Sequence, residues 1–169
     1  MKIGLLSDTH GFLLPPLLDF LSGCDEIWHA GDIGSLEVLE RLRSIRPLRA
    51  VYGNADGQDI RRECAEDAVF TVDGLQVCMT HIGGYPGRYS PHGKALVAAH
   101  RPGLFVSGHS HILKAMPDRE NNLLHLNPGA AGYHGWQQFA TAMRFSIRNG
   151  TPDALEVYRI ERNAAAAFR

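Results

Sequence analysis

The sequence predicts an α/β fold with a two-layered β core, parallel in front and antiparallel behind, and helices outside. In the first third of the chain, short apolar runs alternate with helical patterns in the order strand, helix, strand, helix, strand. Connections of that length imply parallel strands. Further along, Asp73-Gly74 and Asn149-Gly150 each separate two strand-like runs, and these dipeptides are typical of antiparallel hairpins.

The first third supplies the parallel strands, which we predict at residues 2–6, 26–30 and 49–52. A helix over residues 15–22 joins the first two, because prolines are tolerated in a first helical turn and Gly23 is a typical C-cap. A second helix follows Ser35, a fair N-cap, and carries apolar residues at helical spacing. It ends before Pro47.

The remaining strands are predicted at residues 68–72, 75–80, 104–107, 113–117, 123–126, 140–148 and 154–160. Residues 82–89 are rich in glycine and predict a surface loop with special backbone geometry. A short helix is predicted over residues 93–100. Since no internal repeat or linker is apparent, we predict one domain over residues 1–169, with a frayed tail over about residues 161–169.

The composition excludes several classes of function. The chain has 169 residues, of which 44% are hydrophobic and 21% charged, as in a globular protein. A net charge of -1 argues against a stable nucleic-acid partner or a polybasic membrane binder. No apolar run reaches the roughly 18 residues of a membrane span, and the N-terminus has no signal-peptide pattern. Three cysteines without metal or disulfide spacing indicate reduced thiols, so we predict a cytoplasmic protein without a membrane partner.

Residues able to bind metal recur where the apolar runs end. In an extended segment, positions i and i+2 face the same side, so Asp8 and His10 can converge on one point. The full set of such residues is Asp8, His10, Asp32, Asn54, His81, His109 and His111. Gly-Asp and Gly-Asn are also common turn dipeptides, so the prediction of a metal site depends on the repeated occurrence of such residues at the ends of apolar runs.

Carboxylate, amide and imidazole ligands suit Mn²⁺, Fe, Zn²⁺ and similar divalent ions. Seven ligands are too many for one ion and suit two ions that share a bridging carboxylate. His109 and His111 can turn opposite ways in their loop, one toward each ion. Ligand sites of parallel sheets lie outside the carboxyl ends of the strands, where Asp8, Asp32 and Asn54 fall.

This arrangement resembles the calcineurin-like metallophosphoesterases. Their pattern of Asp-x-His, Gly-Asp, Gly-Asn, a lone His and Gly-His-x-His is present as Asp8-Thr9-His10, Gly31-Asp32, Gly53-Asn54, His81 and Gly108-His109-Ser110-His111. The short length is similar to the small YfcE/MJ0936-type phosphodiesterase branch of that superfamily. The resemblance covers residues 1 to about 160 and implies a four-layer α/β/β/α sandwich with a mixed parallel/antiparallel β core.

The resemblance also implies a ligand set and a reaction. One ion would be held by Asp8, His10, Asp32 and His111, and the other by Asp32, Asn54, His81 and His109. We expect Mn²⁺ first, with Fe, Zn²⁺, Ni²⁺ or Mg²⁺ as alternatives. A hydroxide bridging the two ions would attack the phosphorus of a small-molecule or nucleotide phosphodiester. The residues given catalytic roles are Asp32, Asn54 and His109.

One position departs from the common family pattern. Many members have a histidine after Gly-Asn that helps the leaving oxygen, whereas this chain has Ala55, which cannot donate a proton. The small branch commonly lacks that histidine too. The alternative is a non-catalytic, metal-binding interaction scaffold on the same fold, a conversion that the retromer subunit of the superfamily illustrates. Asp56 is either a substitute proton donor or a solvated turn residue.

Other residues are weaker candidates for function. Arg88 is either a phosphate contact or an ordinary exposed arginine, and Tyr85 and Tyr89 would stack on a base or an aryl group. Asn54 is a candidate for substrate binding as well as for metal binding. We interpret His29 as a satisfied core histidine, or one that supports a metal ligand, in preference to a ligand itself. The remaining predictions are support of the metal loops by Asn127-Pro128-Gly129 and structural or surface roles for His92, His100, His125 and His134. The substrate, the native metal and a homodimeric or higher state stay open.

Overall fold

The computed structural model describes residues 1–133 and 136–162. In chain order its strands are β1 (Lys2–Leu6), β2 (Glu26–Ala30), β3 (Leu48–Val51), β4 (Asp67–Val72), β5 (Leu75–Thr80), β6 (Gly84–Tyr85), β7 (Arg88–Tyr89), β8 (Leu104–Val106), β9 (Leu113–Asp118), β10 (Leu123–Pro128), β11 (Phe139–Arg148) and β12 (Thr151–Glu161). The helices are α1 (Pro15–Ser22), α2 (Leu36–Arg43), α3 (Gln58–Glu63) and α4 (Pro91–His100). Among the described residues, no helix is long and apolar enough to cross a membrane.

The strands form two five-stranded sheets and one small hairpin. The first sheet has the order β12-β11-β1-β2-β3, and the second has the order β4-β5-β8-β10-β9. Each sheet has three parallel strands in succession, with antiparallel strands beside them. The mixed β core is therefore confirmed, but the prediction of one parallel and one antiparallel layer is wrong. The reason is that β11 pairs with β1, with Leu5 opposite Met143, and so carries the last hairpin into the first sheet.

The two sheets and the helices make four layers, as predicted. Ile3 and Leu5 of β1 are fully buried in the core between the sheets, together with Val77 of β5 and Val106 of β8. On the outer face of the first sheet, Leu6 packs with leucines of α1 and α2. On the outer face of the second sheet, α4 packs against buried residues of β5 and β8. Because side chains alternate along a strand, each sheet buries apolar residues on both of its faces.

Several element boundaries differ from the predictions. The sequence does not predict helix α3, because its one buried residue, Ile60, leaves no apolar periodicity over the six described positions of the helix. The predicted loop at residues 82–89 contains the β6–β7 hairpin, which turns through Gly87 at a φ of 82°. The predicted tail begins too early, because β12 extends to Glu161 and Arg162 is buried, with its Nε donating to the carbonyl oxygen of Gln137 at 2.9 Å. Residues 163–169 of that predicted tail, and His134, lie outside the described residues.

Candidate metal centre

The loops after β1, β2, β5 and β8 converge at one edge of the two sheets. The backbone N–H of Asp8 donates to the carbonyl oxygen of Gly31 at 2.9 Å, and the N–H of His10 donates to the backbone carbonyl oxygen of Asp32 at 3.0 Å. Across the second sheet, the N–H of Gly108 donates to the carbonyl oxygen of His81 at 3.0 Å. These backbone hydrogen bonds hold the loops in a fixed relation to one another.

The first group of candidate ligands consists of Asp8, His10 and His111, whose ligating atoms all lie within 4.8 Å of one another. Nε2 of His111 lies 3.0 Å from Oδ1 of Asp8 and 3.4 Å from Nε2 of His10. The other carboxylate oxygen, Oδ2, accepts the hydroxyl of Ser7 at 2.6 Å and the N–H of His109 at 3.2 Å. Oδ1 of the fully buried Asp8 is thus turned toward the two imidazoles and finds no hydrogen-bond partner among the described residues.

The second group consists of Asp32, His81 and His109, again within 4.8 Å of one another. Nδ1 of His81 lies 2.8 Å from the carbonyl oxygen of Ala30, so this nitrogen must carry a proton and donate it. The other ring nitrogen, Nε2, faces Oδ2 of Asp32 at 3.3 Å. In a neutral ring Nε2 holds a lone pair, so two electron-rich atoms face each other until a cation or a proton lies between them.

The pKa shifts of His81 and Asp32 also favour a positive charge between these two side chains. Burial acts to lower the pKa of His81, yet the neighbouring Asp32 and Asp8 carboxylates raise it overall. For Asp32, burial acts to raise the pKa, while the contact with His81 and the N–H of Ala55 lower it overall. The donor set of carboxylates and imidazoles fits divalent metal ions, since the buried Asp8 Oδ1 and His81 Nε2 find no hydrogen bond within the described part of the chain.

The backbone at the candidate ligands is conformationally unusual. Five of them have positive φ angles of 48–65°: Asp8, His10, Asp32, His109 and His111. For residues other than glycine, this left-handed region costs roughly 1–2 kcal/mol per residue. Such strain persists only where the surrounding structure holds it, and here the interloop hydrogen bonds do so. The result is that side chains from separate loops turn toward common points.

Asn54, the one amide among the predicted ligands, is exposed. It lines a cavity of about 440 Å³ together with His81, Tyr52 and Arg61. The guanidinium of Arg61 stacks 4.2 Å from the centre of the Tyr52 ring and donates to the carbonyl oxygens of Gly53 and Asp56. The loop that carries Asn54 is therefore held in place by Arg61.

His29 is a satisfied core histidine, as predicted. It is fully buried; its Nδ1 accepts the N–H of Gly31 at 3.2 Å, and its Nε2 lies 2.9 Å from the hydroxyl oxygen of Thr9. That hydroxyl donates onward to the carbonyl oxygen of Ile33 at 2.8 Å. Burial lowers the pKa of His29 to about 4, so it stays neutral and links the loops that carry Asp8 and Asp32.

Asp56 has neither of the roles that the sequence suggests. It is 4% exposed, which rules out a solvated turn residue. Its carboxylate accepts the N–H groups of Gly53 at 2.8 Å, Gly34 at 2.8 Å and Ile33 at 3.1 Å, so both oxygens are directed to the backbone and not to a leaving group. These hydrogen bonds tie the loop after β3 to the loop after β2. Asp56 therefore positions the site, a role that Asn-Ala-Asp after a strand does not signal because such a tripeptide is typical of turns.

The turn at Asn127 supports the metal loops, as predicted. Its amide Nδ2 donates to the carbonyl oxygen of Gly108 at 2.8 Å and to the hydroxyl oxygen of Ser110 at 3.2 Å. Its Oδ1 accepts the N–H of Gly129 at 2.9 Å. The side chain thereby holds the segment from which His109 and His111 diverge.

Two of the predicted substrate contacts, Arg88 and Tyr85, lie beside His109. Arg88 and Tyr85 line a second cavity of about 210 Å³ together with His109 and Lys114. Tyr89 also lines this cavity, but its hydroxyl donates to Asp118 at 2.7 Å and its ring packs edge-on against Phe105. The structure thus places Arg88 and Tyr85 at the edge of the site, and their contacts with a substrate remain predictions.

The chain is similar to known proteins in sequence and in fold. The family model described as "Calcineurin-like phosphoesterase superfamily domain" matches residues 1–150. A probable metallophosphoesterase of Methanothermobacter thermautotrophicus is 27% identical over 137 residues, which cover 77% of each chain. Phosphodiesterase MJ0936 of Methanocaldococcus jannaschii is 29% identical over 153 residues, covering 79% of this chain and 86% of that protein. Among solved structures, a single mutant of Vps29 from Entamoeba histolytica shares the fold with a TM-score of 0.74 at 17% identity, covering 95% of this chain and 99% of that chain.

Proposed function

Since this chain belongs to the calcineurin-like phosphoesterase superfamily, we propose that it hydrolyses phosphodiesters with the help of two divalent metal ions. The observation that carries the proposal is the pair of ligand groups at one edge of the sheets. Each group contains a buried ligand atom, Asp8 Oδ1 or His81 Nε2, for which the described residues provide no hydrogen-bond partner. Oδ1 of Asp8 also lies 4.0 Å from Nε2 of His81, so the two groups adjoin.

We assign the ligands as the motif pattern implies. The first ion would be held by Asp8, His10, Asp32 and His111, and the second by Asp32, Asn54, His81 and His109. Asp32 would bridge: its Oδ2 faces His81 at 3.3 Å, and His10 of the first group is among the side chains that lower its pKa. We expect Mn²⁺, with Fe, Zn²⁺, Ni²⁺ and Mg²⁺ as alternatives.

The protein's own residues prepare the site for this chemistry. When bound, two divalent ions lower the pKa of a shared water and neutralise charge on the phosphoryl oxygens. His81 keeps its proton on Nδ1, where Ala30 accepts it, and so presents Nε2 as a lone-pair donor. Ser7 and the N–H of His109 orient the Asp8 carboxylate in the same way. Asn54, Arg88 and Tyr85 remain our candidates for substrate contacts.

The residues of this chain contribute least to protonation of the leaving group. Ala55 has no proton to give, and the neighbouring Asp56 carboxylate is engaged by three backbone N–H groups. We therefore propose that the enzyme acts best on phosphodiesters whose leaving group departs without protonation from this loop. The same Ala55 favours the second candidate function, a metal-binding scaffold without turnover.

Metal analysis and a hydrolysis assay distinguish the two functions. We expect the purified protein to bind about two divalent ions per chain and to hydrolyse bis-p-nitrophenyl phosphate with added Mn²⁺, with loss of activity in chelator. An Asp32→Asn variant should lose both metal and turnover. His100→Ala, a substitution at the exposed end of α4, is the matched control. Bound metal without turnover of any phosphodiester would establish the scaffold instead, and absence of bound metal would contradict both functions.

A further inference from the structure

Two cavities of different character adjoin the candidate metal centre. The larger, of about 440 Å³, contains Asn54 and His81 in its wall, whereas the smaller, of about 210 Å³, contains His109. Ile82 and Ser90 line both cavities, so the two cavities are neighbours and these two residues lie between them. A phosphodiester carries two substituents, and a substrate at the metal centre can place one in each cavity.

The smaller cavity is positively charged. Arg88 and Lys114 line it, and among the described residues no aspartate or glutamate does. Neither Arg88 nor Lys114 forms an ion pair with any residue in the described part of the chain. Arg88 also lines a separate cavity with Asp118 and Glu120, but the Asp118 carboxylate is directed to the hydroxyl of Tyr89 and the side-chain amide of Asn121, each at 2.7 Å.

The cationic groups are held at the cavity wall. Nζ of Lys114 lies 3.9 Å from the centre of the Tyr85 ring, a cation–π contact that fixes the ammonium group while leaving its N–H donors available. Arg88 is exposed and belongs to β7, which pairs with the strand of Tyr85. The imidazole of His125 also lines the cavity, but burial lowers its pKa to about 4 and keeps it neutral. Arg88 and Lys114 therefore give the cavity its charge.

We propose that this cavity binds a second anionic group, such as a terminal phosphate, carried by one substituent of the phosphodiester. The inference rests on the proposed phosphodiesterase activity and names the class of its substrate. A guanidinium pairs with phosphate oxygens through two N–H donors, and an ammonium adds a compact charge. The larger cavity, whose lining contains both a cation and an anion, Arg61 and Glu66, takes the other substituent. Its volume is within the range of about 300–1,000 Å³ that is usual for ligand pockets.

Substrates that differ only in the extra anion test this inference. We would measure kcat/KM for dithymidine monophosphate, in which two nucleosides share one phosphodiester, and for the same compound with a terminal 5′- or 3′-phosphate. We expect one of the phosphorylated compounds to be preferred at least tenfold. Lys114→Met and Arg88→Gln should each lower that preference ratio at least fivefold. Arg148→Gln, at the exposed end of β11, should leave the ratio unchanged.

The outcomes separate this inference from the proposed function. Turnover of the unphosphorylated compound without any preference for the phosphorylated ones would overturn the inference and leave the phosphodiesterase activity in place. A preference that survives both substitutions would also overturn it. An equal loss of activity on all three compounds would mean that Arg88 and Lys114 contact the scissile phosphate, which likewise contradicts the inference. No turnover of any phosphodiester, including bis-p-nitrophenyl phosphate, would overturn both proposals.

Discussion

Oδ1 of Asp8 lies 3.0 Å from Nε2 of His111, although the two residues follow strands of different sheets. Asp8 follows β1 at the centre of the first sheet, and His111 follows β8 at the centre of the second. The candidate metal centre therefore depends on the packing of one sheet against the other. Each ligand group, by contrast, adds little to that packing, because the apolar core lies behind it.

Loss of one ligand should remove one metal ion and leave the fold. We expect His10→Ala to bind about one ion per chain in place of two, and to lose more than about 100-fold in activity. Its unfolding temperature without metal should stay near that of the wild type, because His10 is half-buried and belongs to none of the apolar clusters of the described chain. Metal content by mass spectrometry, together with thermal unfolding in chelator, checks this. Near-normal turnover would refute the ligand assignment, and His100→Ala is the control.

Asp56 should be important to stability as well as to activity. Asp56→Ala leaves the N–H groups of Gly53, Gly34 and Ile33 without their acceptor. Unpaired buried donors cost about 1–3 kcal/mol each, and partial hydration lowers the sum, so we expect a loss of about 3 kcal/mol in the free energy of unfolding. Urea denaturation measures it. Asp59→Ala is the matched control, since its exposed carboxylate pairs with the equally exposed Arg62 at 3.4 Å. If both substitutions have the same small effect, the positioning role of Asp56 is wrong.

His29 should lower the stability of the fold as the pH drops. Its pKa is about 4 in the folded chain, against 6.5 for an ordinary histidine, so between these values the unfolded chain binds more protons. The contribution of His29 is therefore present above pH 6.5 and is lost toward pH 4, by up to about 3 kcal/mol. Urea denaturation in chelator at pH 7.5 and 5 should show a clearly weaker pH dependence for His29→Gln. His125, which is also buried and has a pKa of about 4, accounts for part of the pH dependence that remains in this variant. If the free energy of unfolding of His29→Gln depends on pH as strongly as that of the control His100→Gln, the role of His29 is contradicted.

The candidate ligands are predictable from the sequence because each follows a strand, and the pattern of apolar runs shows where strands end. The structure gathers the six carboxylate and imidazole candidates into two groups. Which loops meet is beyond the pattern, because strand pairing depends on the whole fold. This is also why the sequence predicts the wrong layer for β11. The left-handed backbone at Asp8 or His109 leaves no sequence signal, since such φ angles are held by hydrogen bonds between distant loops.

Roles that depend on burial are harder to predict. Asp56 is polar and follows a turn, so only the structure shows that its carboxylate lies beneath the loops and accepts three N–H groups. The sequence does not predict helix α3, for the related reason that this helix packs through a single buried side chain, Ile60. The prediction for His29 is confirmed because it lies inside an apolar strand, where a histidine is usually neutral and hydrogen-bonded.

Ala55 should make the rate depend steeply on the leaving group. Ala55 lies on the exposed side of its loop, its N–H donates to Asp32, and its methyl group supplies no proton. In a series of methyl aryl phosphodiesters, we therefore expect kcat/KM to fall sharply as the pKa of the leaving phenol rises. The slope of log(kcat/KM) against that pKa is the measurement. Ala55→His should flatten the slope and raise the rate most for the poorest leaving groups, because an imidazole can donate a proton at neutral pH. Ala55→Gln, of similar size but without an acidic proton, is the control. A flat dependence in the wild type would mean that another residue protonates the leaving oxygen.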